Sequence, residues 1–284
     1  MKKILSFFAF VAIVLTFAAC GGNEPEAGGY VPEPSMGELN GVFSVGEGKK
    51  VRFSQGNLQF EKRVSIHSGI TLIWSFAEHQ YDVLGKEKNE RIGTTSFPGY
   101  KIDLFGWGTG DTPGKYSTND ADYATFTNWG KNAISNGGKE PNFWRSLSED
   151  EWLYIIRDRS NAMNLVAWAT LEFADNRVGL FLLPDNWEEV KPSSISLSTN
   201  ASWGANRINE TDWNAMEKAG AVFLPHTGVY RDGQTIVEGN NGYWNSTSDD
   251  DVTYASVFVT SIIFNFITIQ NKHCGHYVRL VHEL

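Results

Sequence analysis

The stretch from Tyr243 to Leu284 reads YWNSTSDDDVTYASVFVTSIIFNFITIQNKHCGHYVRLVHEL. Its middle places Val, Ile and Phe at adjacent positions, and adjacent side chains point to opposite faces of a strand. Between Ser248 and Ile269 there is no Lys, Glu, Gln, Met or Trp, although the rest of the chain uses all five. The stretch therefore predicts either a strand that is covered on both faces or a surface whose residue types are restricted for another reason.

The end of this stretch, VRLVHEL, is expected to form a central strand. Val278 and Leu280, with Tyr277 or Val281, would alternate there and lie near the first strands of the chain. Those first strands are predicted in GVFSVGEGKKVRFSQ, where FSV and VRF flank the turn sequence GEG as a β-hairpin.

Two helices stand out between these ends. In SEDEWLYIIRDR, Ser148 and Glu151 form a capping box, and Trp152 follows as a core position. In TDWNAMEKAG, Thr211 is the expected N-cap and Gly220 the stop. Short strands, VGLFLLP and GAVFLP, follow the two helices, and helix–strand alternation is too brief for a doubly wound sheet. The predicted class is α+β, rich in short strands and in long, aromatic-rich loops.

The first residues, MKKILSFFAFVAIVLTFAAC, have the layout of a secretory signal. Two lysines precede an apolar run, and Ala18 and Ala19 precede Cys20. The run is shorter than the about 18 apolar residues that a membrane span needs. Because FAAC followed by GGNEPEAGG resembles a bacterial lipobox and tether, we predict a lipoprotein signal peptide at 1–20, with Cys20 as the lipidated residue.

Residues 21–38 are rich in Gly, Pro and Glu and are predicted to be a flexible tether, followed by a single domain at 39–284. Loss of the two lysines of the signal takes the net charge from −9 to −11. Such a surface repels phosphate backbones, so nucleic acid is not an expected partner. With Cys20 lipidated, Cys274 is alone and neither an intramolecular disulfide nor a cysteine-based zinc site is expected.

Three motifs suggest metal or catalytic chemistry without the spacing that it needs. The run DDD at 249–251 could hold a hard cation, but consecutive aspartates point apart in an extended chain, which favours a solvated loop. The tripeptide EPN at 140–142 is used by calcium-dependent lectins to hold sugars, but here it precedes the first capped helix and no WND follows. The histidines show neither metal-like nor triad-like spacing. We expect no metal, no cofactor and no catalytic residue.

A series of motifs in fixed order covers nearly all of the chain after the tether. The motifs are FSVGEGKKVRFSQGNLQF, WSFAEHQYDVLG, IDLFGWGTG, WRSLSEDEWLYII, GLFLLPDNW, MEKAGAVFLPHTGVYRDG and GYWNSTS with HYVRLV. In these the chain resembles Gram-negative lipoproteins of the C-type lectin-like fold, in its formylglycine-generating-enzyme branch. The enzymes of that branch use a pair of active-site cysteines, whereas this chain would keep only Cys274, so activity by that route is not expected.

Some lipoproteins that this chain resembles are variable proteins of diversity-generating retroelements, in which template adenines are copied with errors. Changing both adenines of an AAC codon never produces Lys, Glu, Gln, Met or Trp, the five types missing between Ser248 and Ile269. Strand composition is the competing explanation, because strands favour Val, Ile, Thr, Phe and Tyr. A template repeat and a reverse transcriptase gene in the flanking DNA would distinguish the two.

The resemblance implies an envelope-anchored, adhesin-like or receptor-like protein that binds a protein or glycan at the cell surface. The C-terminal hairpin and loop would supply exposed apolar anchors beside aspartates. The candidate binding residues are Asp249, Asp250, Asp251, Thr253, Ser256, Phe258, Thr260, Ile262, Ile263, Asn265, His273 and His276. Two other classes stay open: a carbohydrate-processing enzyme that uses carboxylates in the aromatic loops from Gly99 to Gly138, and a structural subunit of a surface assembly.

Overall fold

The structure is a computed structural model, and it describes residues 33–89, 99–199, 205–226, 228–231, 234–236, 242–248, 253–259 and 266–284. All of these belong to one compact unit, 32–284. The predicted signal peptide and most of the predicted tether lie outside the described residues. None of the helices in the described ranges is long and apolar enough to cross a membrane.

Fifteen strands run through the described part of the chain. They are β1 (Phe43–Gly46), β2 (Lys49–Phe53), β3 (Leu58–Ser65), β4 (Gly69–Phe76), β5 (Tyr100–Ile102), β6 (Val166–Leu171), β7 (Arg177–Leu182), β8 (Arg207–Ile208), β9 (Val222–Pro225), β10 (Val229–Arg231), β11 (Gln234–Ile236), β12 (Gly242–Ser248), β13 (Tyr254–Val259), β14 (Ile267–Asn271) and β15 (Val281–Glu283). The helices are α1 (Gly85–Asn89), α2 (Glu149–Leu153), α3 (Trp187–Val190) and α4 (Glu210–Lys218).

The strands form five small sheets, with the orders β1-β2-β15, β4-β3-β5, β8-β6-β7-β9, β10-β11 and β12-β13-β14. Within the described ranges the strands of these sheets pair antiparallel, except for β6 and β8. The protein is therefore α+β with mostly antiparallel sheets and few helices. This confirms the predicted class at that level.

The predicted hairpin is present as β1 and β2, which meet at the turn after Gly46. The final strand, β15, pairs with β2, so the end of the described chain lies beside its first strands as expected. It is an edge strand of its sheet, however, and not a central one. Val278 and Leu280 are fully buried just before it, and their carbonyls accept hydrogen bonds from Leu58 and Ser54.

The first predicted helix is confirmed, with its capping box. The Ser148 hydroxyl accepts from the Glu151 backbone N–H, and the Glu151 carboxylate accepts from the Ser148 N–H. Helix α2 ends at Leu153, and a wider π-helical turn continues it through Asp158. Trp152 is fully buried, as expected.

The N-cap of the second predicted helix lies two residues before the predicted one. Asn209, and not Thr211, is the N-cap of α4, and its side-chain oxygen accepts from the Asp212 N–H. Gly220 ends the helix with φ of 95°, as predicted. A side chain there would also strike the backbone of Gly41, so the position needs glycine for two reasons.

The boundary expected between tether and domain is slightly late. The Glu38 side chain is only 1% exposed and makes an ion pair with Arg52 at 3.5 Å. The backbone of Gly37 accepts a hydrogen bond from Gln55. The folded domain therefore includes residues that composition alone assigns to the tether.

Candidate functional site

The C-terminal sheet, β12-β13-β14, contains the described part of the predicted binding segment. Strand β13 lies in the middle, with Tyr243 opposite Phe258 and Trp244 opposite Val257 on the β12 side. On the β14 side, Phe258 lies opposite Ile267 and Ser256 opposite Ile269. The register therefore places the predicted binding strand at the centre of its sheet.

Phe258 was expected to be an exposed anchor, and this expectation is wrong. Its side chain is fully buried. It stacks on Trp152 of helix α2 with ring centroids 4.2 Å apart, and on Phe266 at 6.0 Å. Its neighbour Val257, which points to the opposite face of the sheet, is also fully buried. Strand β13 is therefore covered on both faces, and α2 packs against the face that carries Phe258.

His276 is also buried, at 1% exposure, which excludes the surface role expected for it. Neither ring nitrogen has a hydrogen-bond partner, and the ring meets Trp244 edge to face at 4.7 Å. Its backbone N–H and carbonyl both pair with Phe105, which fixes the backbone at this position. Burial, together with the charge of Arg231, lowers the pKa of His276 to about 3, so the imidazole is neutral at pH 7.

Strand β14 differs from β13, because it is an edge strand and none of its side chains is fully buried. Ile269 is 49% exposed. Gln270 accepts a hydrogen bond from Arg231 at 2.8 Å, and Arg231 comes from the separate β10-β11 sheet. We call Ile267–Asn271 together with His273 the C-terminal surface. It contains Ile269, the most exposed side chain in the described part of the predicted segment.

Asp120, in the aromatic loop region, holds this surface to the rest of the domain. Its carboxylate accepts from the Asn271 amide at 2.8 Å and from the His273 backbone N–H at 3.0 Å. The same carboxylate lies 2.8 Å from His273 Nδ1. Burial alone would raise the pKa of Asp120, but these hydrogen bonds outweigh it and lower the pKa overall. The carboxylate is therefore ionised at neutral pH and fixes the turn after β14.

Lys272 supports the same turn from inside the protein. It is fully buried, and its Nζ lies 4.5 Å from the centre of the Trp107 ring. Its backbone carbonyl accepts from the Trp107 N–H at 2.9 Å. This cation–π interaction joins the turn after β14 to the aromatic loop region.

The other predicted binding residues are placed as follows. Thr253 is partly exposed, and its carbonyl accepts from Lys272. Ser256 belongs to β13, but its side chain lies outside the described part of the structure. The remaining predicted residues also lie outside the described residues: Asp249, Asp250, Asp251, Thr260, Ile262, Ile263 and Asn265.

Three carboxylates of the aromatic loop region have structural partners. Asp111 forms an ion pair with Lys131, and Asp122 accepts from Ser117. Asp120 binds the C-terminal turn, as described above. Among the described residues, no group of three or more His, Cys, Asp or Glu side chains could hold a metal ion.

The EPN tripeptide lines a cleft of about 410 Å³ beside Phe143, Arg145 and His282. Asn142 adopts φ of 63°, and its N–H bonds to the Gly130 carbonyl. The asparagine thus shapes the local backbone turn. His282 stacks on Phe143 at 3.8 Å and contacts the buried Glu38 carboxylate.

Sequence reasoning missed Asp120, Lys272 and Ile269 as parts of this region. Asp120 lies 153 residues before His273, and its local sequence gives no signal of the pairing. Ile269 looks like any other strand residue until the sheet order shows that β14 is at the edge. No protein-family model, no curated protein and no solved structure matches this chain.

Proposed function

We propose that this chain is an envelope-anchored, ligand-binding lipoprotein with a C-type lectin-like domain. The lipid on Cys20 would hold it to the outer membrane, exposed at the cell surface. The C-terminal surface, Ile267–Asn271 with His273, would bind a protein or glycan. The proposal needs no cofactor, no nucleic acid and no catalytic residue.

The architecture supports the fold part of the proposal. The domain is α+β, and its last strand pairs with β2 in the sheet that also contains β1, as expected when the two ends of a lectin-like domain meet. Long segments between short strands are fixed by buried aromatic side chains such as Phe105, Trp107 and Trp129. This arrangement suits a rigid scaffold that carries loops.

The binding part rests on one observation, the contrast in burial between two paired strands. Val257 and Phe258 of β13 are fully buried, whereas Ile269 of β14 is half exposed. Asp120 and Lys272 fix the adjoining turn from two sides. A surface that is rigid before binding loses less conformational entropy when it binds.

The same contrast in burial limits the positions at which sequence diversification could change binding. Burial on both faces is sufficient to explain the apolar residues of β13. Useful variation would therefore be confined to β14, to the turn after it, and to positions outside the described residues. The flanking DNA tests this directly, since a template repeat should mismatch at codons such as that of Ile269 and not at those of Val257 and Phe258.

The anchor is tested by changing Cys20 to serine. Because the proposed lipid is attached to this thiol, Cys20→Ser is expected to abolish labelling with a clickable palmitate and to reduce the protein in the membrane fraction. Cys274→Ser, which removes the other cysteine, should keep the label. Undiminished labelling of Cys20→Ser would show that the anchor is wrongly assigned.

Binding is tested by a screen in which the wild-type protein and two variants are applied in parallel to glycan and cell-surface protein arrays. Ile269→Asp should keep its melting temperature, because exposed positions usually change stability by no more than about 0.5 kcal/mol. It should nonetheless lose the ligands that the wild type binds. Met163→Asp, a change at a 60% exposed residue outside this sheet, is the matched control. Ligands retained by Ile269→Asp and lost by Met163→Asp would contradict the proposed surface.

A further inference from the structure

The hairpin formed by β3 and β4 extends beyond the body of the domain. The two strands pair along their whole length, from Leu58 opposite Phe76 to Ser65 opposite Gly69. Strand β5 pairs only with Phe60–Lys62 of β3, near the base. Beyond that point the hairpin continues for roughly 10 Å, at about 3.3 Å per residue, without another strand in the described ranges.

One face of this extension is apolar and exposed. Lys62 and Val64 lie opposite Leu72 and Ile70, so these four side chains share a face. Val64 is 44% exposed, Ile70 64% and Leu72 61%. The same face continues inward to Phe60 and Trp74, which are core residues. The apolar character of the core thus extends outward along the hairpin into solvent.

The tip has the most exposed apolar side chain of the described residues. Ile66 is 96% exposed and begins the turn that joins the two strands. A convex tip of aliphatic side chains differs from an ordinary protein interface, whose main contacts are Trp, Tyr and Arg side chains packed into pockets. Proteins that bind a membrane surface insert exposed apolar side chains at the boundary between lipid headgroups and acyl chains, and the tip presents side chains of this kind.

Positively charged side chains lie on and around this hairpin, although the chain as a whole has a net charge of −9. Arg63 donates two hydrogen bonds to Glu61 on the face opposite the apolar one, at 2.6 and 2.8 Å. The hydrogen bond from Arg63 is the main cause of a lowered pKa of Glu61, and the charges of Lys101 and Lys88 contribute to it. Lys62 lies on the apolar face, 6.0 Å from the Tyr100 ring.

We propose that the tip of the β3–β4 hairpin docks on a membrane surface that contains anionic phospholipid. Ile66, Ile70 and Leu72 would enter the headgroup boundary. Lys62 on the apolar face and Lys101, which lies opposite Glu61 on the other face, would contact lipid phosphates on the two sides of the hairpin. A second contact of this kind would orient the domain on the bilayer. The proposal does not depend on the C-terminal surface, and it does not require the lipid on Cys20.

The test uses residues 32–284, which form one compact unit. The protein is sedimented with vesicles of phosphatidylcholine alone or with phosphatidylglycerol, at low and high salt. Binding is expected on the anionic vesicles and should fall with salt. Changing both Ile66 and Leu72 to serine should weaken it at least about tenfold, and Lys62→Gln about fivefold. Met163→Ser is the control and should bind normally.

Three results would overturn the proposal. The first is no sedimentation of the wild-type unit with anionic vesicles. The second is binding that the Ile66→Ser, Leu72→Ser double variant retains. The third is a dimer seen by light scattering without lipid and abolished by the double variant, which would assign the face to a second copy of the chain. Circular dichroism of the double variant confirms that it is folded.

Discussion

Replacing Phe258 with alanine is expected to lower the free energy of unfolding by about 3–5 kcal/mol, the range for a buried phenylalanine. The ring is fully buried and lies between Trp152 and Phe266, with centroid distances of 4.2 and 6.0 Å. Removing it would leave a cavity where helix α2 packs on the C-terminal sheet. Urea denaturation followed by tryptophan fluorescence measures the loss.

The matched control is Ile269→Ala, on the strand that pairs with β13. Ile269 is half exposed, so its replacement should change the free energy of unfolding by no more than about 0.5 kcal/mol. If Phe258→Ala were as mild as Ile269→Ala, the buried position of β13 would be wrong and the original expectation of an exposed anchor would be restored.

Stability in acid is expected to depend on His276. Its pKa in the folded protein is lowered to about 3, whereas an unfolded histidine has a pKa near 6.5. Below pH 6.5 the unfolded state therefore binds a proton that the folded state does not, so folding loses stability as the pH falls. Between pH 7 and pH 4.5 this loss is about 2–3 kcal/mol, at 1.36 kcal/mol per pH unit.

Asp103 has the opposite effect on stability in acid. It is fully buried, and burial raises its pKa to about 6 although Leu84 and Asn89 donate hydrogen bonds to it. The folded state therefore takes up this proton more readily than the unfolded state, and stability is gained as the pH falls from about 6 towards 3.8. The pH profile of the wild type alone thus mixes opposing effects.

The variant His276→Phe separates them, because it keeps a ring against Trp244 and removes only the titrating group. The difference in unfolding free energy between His276→Phe and the wild type should grow in favour of the variant by about 2–3 kcal/mol from pH 7 to pH 4.5. Asp103 and the other carboxylates are common to both proteins and cancel. A difference that stays constant with pH would mean that the imidazole is not buried in a neutral form.

Local sequence signals predicted the local structure well. The capping box at Ser148 and Glu151, the hairpin of β1 and β2 and the stop at Gly220 each depend on residues a few positions apart. The cap of α4 was misplaced because both Asn209 and Thr211 can cap a helix, and only the structure shows which side chain accepts the bond.

The candidate site could not be predicted in the same way. Alternation of apolar and polar residues along a strand indicates a buried face only when the other face is in water. Strand β13 is covered on both faces, so its sequence shows no such alternation. The partner that covers one face, Trp152, lies more than a hundred residues earlier in the chain. The bond between Asp120 and His273 likewise joins distant segments, each ordinary in its own sequence.

Hydrogen–deuterium exchange with a ligand from the array screen tests the location of the binding surface most directly. Amide exchange is expected to slow on binding in residues 267–274, which include β14 and the turn held by Asp120. The interior strand β13 should already exchange slowly without ligand, because it is paired on both sides. Protection confined to the cleft lined by Glu140, Phe143 and His282, with no change in residues 267–274, would show that the ligand does not bind at the C-terminal surface.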